Sequence, residues 1–96
     1  MLYAVLFEDD PARADARARH MAEHLAFLER EAARIHAAGP LREAGQGAGG
    51  LWLVEAEDAD AARRLVEADP FWPTGLRRSV RVLEWRRVFA DGRRLG

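Results

Sequence analysis

The stretch Leu41-Arg42-Glu43-Ala44-Gly45-Gln46-Gly47-Ala48-Gly49-Gly50-Leu51-Trp52-Leu53-Val54-Glu55 decides how the chain folds. Its glycine cluster, Gly45 to Gly50, separates a polar arm, Leu41 to Ala44, from an apolar arm, Gly50 to Glu55. Glycine at this density turns one strand back on the next, so a β-hairpin is predicted. The second arm carries large apolar residues on both faces, whereas the first is polar enough to be an edge strand.

Upstream, Pro11 to Ala38 is helical in composition, with Asp10 as N-cap, Pro11 at the first helical position and Gly39-Pro40 as the stop. At 100° per residue Met21, Leu25, Leu28, Ala32 and Ile35 form one stripe, predicted to face the core. Before it, Leu2 to Phe7 is an apolar run of strand length ending at Glu8-Asp9-Asp10-Pro11. Downstream, Asp58 or Asp60 can cap a second helix whose stripe Ala62, Leu65, Val66 stops at Asp69-Pro70. Ser79 to Phe89 reads as the last strand, with a bulge where its alternation slips at Leu83. Residues 1–89 are thus expected to form one domain, and 90–96 a flexible C-terminal tail.

The order is strand, helix, strand, strand, helix, strand. That is the α+β, ferredoxin-like βαββαβ arrangement, a four-stranded antiparallel sheet with two helices on one face. The first and third strands nevertheless offer large apolar residues to both faces, as in sheets covered on both sides. The simplest cover for the second face is another copy of the chain, and a homodimer is expected. A chain of 96 residues buries only about 60–65% of the surface its unfolded form exposes, so a second subunit would also add stability.

Composition narrows the chemistry. There is no cysteine, which removes disulfides, thiolate ligands and cysteine nucleophiles. All fifteen basic residues are arginine, so Schiff-base chemistry on lysine is excluded, and a single serine, Ser79, makes a serine nucleophile a poor candidate. Net charge is −1 with the signs interleaved, a distribution that steers neither nucleic acid nor an anionic membrane, and neither partner is expected. The N-terminal run lacks a basic leader and is too short for a signal or membrane span, so the expected location is the cytoplasm. Histidine, carboxylates, Tyr3 and arginine remain for catalysis.

Two motifs have bland explanations. Gly45-x-Gly47-x-x-Gly50 matches a dinucleotide fingerprint by letter, but that fingerprint needs a helix after it, and a strand is predicted there. His20-Met21-Ala22-Glu23-His24 spells H-x-x-E-H, and two histidines at i and i+4 can reach one metal. Zinc hydrolysis also needs a further carboxylate ligand and a groove, for which so small a domain has little room, so no metal site is expected. The βαββαβ order is shared with RNA-recognition domains, yet the third strand offers one aromatic residue and no arginine.

Two polar residues sit awkwardly. His24 borders the apolar stripe of the first helix, where a partly buried imidazole needs a hydrogen-bond partner. Asp69 continues the stripe of the second helix and lies at that helix's C-terminus, where the dipole disfavours a carboxylate. It therefore calls for a donor. It can also cap a short turn through Phe71 and Trp72, with Pro70 at the first position.

The Leu2-Tyr3 strand, His24-Leu25, Ala38-Gly39-Pro40-Leu41, the Gly-rich hairpin and Ala68-Asp69-Pro70-Phe71 followed by Gly75 resemble, in that order, the YCII-related proteins. The resemblance spans nearly all of the chain up to Phe89. It implies a dimeric α/β-barrel, similar to the muconolactone isomerases, with a cleft where a histidine and an aspartate meet, positions that correspond to His24 and Asp69. From this follows an expected acid–base pair in which His24 moves a proton and Asp69 holds its tautomer. Tyr3, Pro40, Phe71 and Trp72 are the expected substrate-binding residues. The expected function is isomerase or lyase-like chemistry on a small cyclic or aromatic-derived molecule, with no cofactor. The alternative is a non-catalytic ligand-binding or regulatory dimer.

Overall fold

The computed structural model describes residues 1–96. Strands β1 (Leu2–Asp9), β2 (Ile35–Glu43), β3 (Gln46–Glu55) and β4 (Arg77–Glu84) form one antiparallel sheet in the order β2-β3-β1-β4. Helices α1 (Asp15–Arg30) and α2 (Ala59–Glu67) are the two crossovers, which makes the fold the predicted α+β, ferredoxin-like one.

Alternation along the strands sorts the faces. Tyr3, Val5 and Phe7 of β1 and Trp52 and Val54 of β3 point to the helix side. There they pack with Phe27 of α1 and Ala62, Leu65 and Val66 of α2 in one buried cluster. The α2 stripe is the predicted one, and Asp58 caps that helix by accepting from the Ala61 amide at 2.8 Å. On the opposite face Ala4 lies between Leu53 and Leu83, and Leu6 pairs with Leu51. No helix covers them.

The structure departs from expectation in the first helix, the last strand and the C-terminal segment. The first helix ends at Arg30, and Ile35, predicted to be helical, opens β2 opposite Val54. The Ala-rich stretch 31–38 has good helix formers, but β3 is long enough to pair with eight of the nine residues of β2, and tertiary pairing overrides a propensity worth tenths of a kilocalorie per residue. The buried residues of α1 are Ala16, His24 and Phe27, whereas Leu25 is 48% exposed. Of the predicted stripe, Met21 and Leu28 are half-buried against the core clusters, whereas Leu25 and Ala32 turn away from them. The last strand stops at Glu84, and its irregularity lies not at Leu83 but at Arg78, the extra residue left where Glu8 pairs with Ser79 and Asp9 with Arg77. The segment expected to be a tail instead forms a small hairpin, β5 (Phe89–Ala90) with β6 (Arg93–Arg94), turned by Asp91 and Gly92 at positive φ.

The glycine cluster acts as predicted, with a finer division of labour. Ala44 and Gly45, both at positive φ, make the two-residue turn between β2 and β3. Gly49 lies further on, at φ 120°, where β3 presses against β1; a Cβ there would stand 1.8 Å from the Phe7 carbonyl oxygen. Gly49→Ala is expected to cost at least about 2 kcal/mol through strain and forced separation of the strands. A thermal melt matching that of the wild type would contradict this.

Candidate active site

The C-terminal half of β1, the middle of α1 and the start of β4 meet at one end of the sheet, and Asp69 reaches the same place from the turn after α2. His24 Nδ1 and Asp69 Oδ1 are 2.8 Å apart, although 45 residues separate them in sequence. Asp69 Oδ1 also accepts from the Phe71 amide at 3.1 Å, and Oδ2 accepts from Arg77 Nη1 at 2.5 Å. The capping role and the need for a donor thus hold together at one carboxylate. The His24, Asp69 and Arg77 side chains are 9%, 0% and 4% exposed.

Burial alone would raise the Asp69 carboxyl, but the His24 hydrogen bond, the Arg77 charge and the Phe71 amide outweigh it and hold the group below the usual carboxylate range. An ionised carboxylate only accepts, so the proton in its bond with His24 must sit on Nδ1. In the neutral imidazole Nε2 is then the free acceptor. Nε2 has no partner within the protein, and the single enclosed side-chain polar atom without one is Asp9 Oδ1, so Nε2 is open rather than sealed. Phe71, fully buried, stacks on the imidazole with ring centroids 4.1 Å apart and planes 14° from parallel, which fixes the ring's tilt.

His24 opens into a cleft of about 100 Å³. Phe7 and Trp52 form its aromatic lining, Ala38, Gly39 and Pro40 of β2 one rim, and Met21, Leu25 and Leu28 of α1 the other. Three residues of the predicted stripe thus form a wall of the cleft, Met21 and Leu28 while also packing on the core and Leu25 without doing so. The polar lining is Asp9, Arg17, His24 and Arg77. Arg17 pairs with Asp9 at 2.5 Å and approaches the Phe71 ring, its Cζ 5.6 Å from the centroid. Burial lowers the Arg77 guanidinium from its usual value against the opposing pull of Asp69, and it remains a cation.

Of the six residues expected at the site, His24, Asp69 and Phe71 are in mutual contact and Pro40 lines the cleft. Tyr3 and Trp72 do not. Tyr3 is 2% exposed in the core, four residues back along β1 from Phe7, and Trp72 packs half-buried against the same core. Neither His20 nor His36 joins the cluster; His20 lies 3.4 Å from Glu23, and no group of three potential metal ligands converges anywhere in the chain. Sequence reading missed Arg77, Arg17 and Asp9. The one signal for Arg77 was the unmet need of Asp69 for a donor, since Arg77 and Arg78 are the nearest arginines after it.

Together these features define a class: a small α+β, ferredoxin-like protein with a buried His–Asp–Arg cluster beside a cleft of mixed polarity. The chain belongs to the YCII-related family: the YCII-related domain matches residues 1–86. Among solved structures it is similar to 5-chloro-2-hydroxyhydroquinone dehydrochlorinase (TftG) from Burkholderia phenoliruptrix AC1100, in complex with 2,5-dihydroxybenzoquinone. The identity is 34%, over 90% of this chain and 94% of that one, with a TM-score of 0.80. No curated protein matches the chain.

Proposed function

We propose that this protein is a cofactor-independent lyase-type enzyme that uses His24 and Asp69 as an acid–base pair on a single-ring, hydroxylated substrate of the hydroquinone type. The observation that carries the reading is the free Nε2 of His24, beside a cleft of mixed aromatic and charged lining, while Asp69 holds Nδ1. The cleft, about 100 Å³, is smaller than the closed cavity of about 150 Å³ that takes up benzene, but it is open on one side, so a single ring would be held with one edge in solvent. The similarity to a dehydrochlorinase supports elimination as the reaction class.

Loss of HCl from a chlorinated hydroquinone needs no external oxidant. Two hydroxyl-bearing carbons become carbonyls while the carbon that loses chloride gains hydrogen, so the redox change is internal and the chemistry is proton traffic. His24 Nε2 takes one hydroxyl proton and returns it to the chlorine-bearing ring carbon while Asp69 supports the imidazolium; the second hydroxyl then gives its proton to solvent as its electrons expel chloride, so that one HCl leaves in all. The test is chloride release from 5-chloro-2-hydroxyhydroquinone and related chlorinated hydroquinones by purified protein. Binding without turnover across that series would make the chain a ligand-binding module instead.

The active unit in this reading is a homodimer formed through the uncovered sheet face. Its support is the patch of Leu6, Leu51, Leu53 and Leu83, which lies where alternation would otherwise place polar residues. Light scattering is expected to return twice the 10.8 kDa chain mass, and Leu53→Arg to return one chain. A wild-type mass of one chain at micromolar concentration would rule the dimer out.

A further inference from the structure

Arg77 is explained only in part by its ion pair. A guanidinium carries five N–H donors, and a single one, on Nη1, is taken by Asp69. Its Cζ lies 4.0 Å from the Phe7 ring centroid, 4.9 Å from that of Trp52 and 5.3 Å from that of Phe71. Those rings favour the cation through their faces but offer no in-plane acceptor to the remaining donors. The side chain is 4% exposed, yet none of its nitrogens is enclosed without a partner, and Arg77 lines the same cleft as His24. The unused donors therefore open onto the cleft.

Asp69 bonds to His24 through one oxygen and to Arg77 through the other, so the imidazole and the guanidinium flank the same small space. When His24 withdraws a proton from a hydroxyl, negative charge is left on the oxygen, and a largely buried cation with free donors is where that charge is best held. We propose that Arg77 binds the ionised oxygen of the substrate, so that the cleft selects planar rings carrying a phenolate or enolate oxygen over the same rings without charge. This rests on the acid–base reading above and names the substrate class of that site.

The test compares two probes with one ring skeleton: 2,5-dihydroxybenzoquinone as its anion at neutral pH, and 2,5-dimethoxybenzoquinone, which is uncharged. Calorimetry on the wild type is expected to favour the anion by about tenfold or more, the size of a charge-assisted hydrogen bond. Arg77→Gln should bring the two affinities within about twofold, and Arg77→Lys should keep part of the preference. Removing Arg77 alone strands the Asp69 carboxylate, so the pair is also measured in Asp69→Asn/Arg77→Gln, which leaves no unmatched buried charge. A wild type without preference, or either glutamine-bearing variant with the full preference, overturns the proposal. Chloride release is scored separately: turnover without an Arg77-dependent preference sinks this assignment alone, and the preference without turnover sinks the acid–base reading alone.

Discussion

His24→Gln is expected to lower turnover by about two to four orders of magnitude while leaving affinity for a non-reacting ring nearly unchanged. The asymmetry follows from what each end of the imidazole does. Nδ1 is structural, bonded to Asp69, and a glutamine amide can supply a donor in its place, so the buried carboxylate keeps a partner. Nε2 is the end that takes a proton, and glutamine has no group of comparable basicity. The apolar walls, Met21, Leu25 and Leu28 on one side and Phe7 and Trp52 on the other, are untouched by the change. Chloride release and calorimetry with 2,5-dihydroxybenzoquinone on the same preparation separate the two effects. Turnover within about threefold of wild type would remove His24 from the reaction, because general base catalysis contributes far more than that.

Asp69→Asn is expected to damage both stability and turnover. The carboxylate receives donors from His24, Arg77 and the Phe71 amide, and two of these retain only a neutral acceptor in the variant. Leaving the Arg77 side chain without its counter-charge costs about 3 kcal/mol, a large part of the stability of a domain this small. The asparagine amide can also turn its NH2 towards Nδ1, which forces the proton to Nε2 and removes the free acceptor. Nitrogen-15 shifts of the His24 ring should therefore show the tautomer exchanged, with turnover reduced as far as in His24→Gln.

The same carboxylate makes a pH prediction. Its native ionisation lies below the ordinary range, and in the unfolded chain it returns to about 3.9. The stabilisation it provides is fully present above the unfolded value and is lost as pH falls through the native one. Asp69→Asn lacks that limb. The melting temperatures of the two proteins should differ most near neutrality and converge as pH drops below about 4. A gap constant down to pH 3 would place the acid sensitivity in other groups.

The architecture was legible because its signals are local. The glycine cluster, the apolar run Leu2 to Phe7 and the Ala62, Leu65, Val66 stripe each specify an element within a short window of sequence. The first helix misled for a physical reason: a helix bordering a cleft has two apolar faces, one towards the core and one towards the ligand. Periodicity alone placed Leu25 in the core beside Met21 and Leu28, which do pack there, and passed over Phe27, which is 4% exposed. At the site, the discomfort of His24 and Asp69 could be read singly, from a helix border and a helix end. Their contact could not, because it depends on how two crossovers place residues 45 positions apart. Arg77 left still less trace, since nothing in one sequence distinguishes a buried arginine from the exposed Arg78 beside it.

The position of β1 between β3 and β4 sets a condition on the order of assembly. Pairing Tyr3 with Glu84 joins positions near the two ends of the described chain, whereas the two-residue turn at Ala44 and Gly45 lets β2 and β3 zip together locally. Closing the longer loop carries the greater entropic penalty, and topologies dominated by such distant pairings fold slowly. Arg77 enters the cleft only when β4 docks on β1. A partly folded chain could then have its helices and its central hairpin and still lack the cation beside Asp69, which makes the completed site a marker of the fully closed sheet.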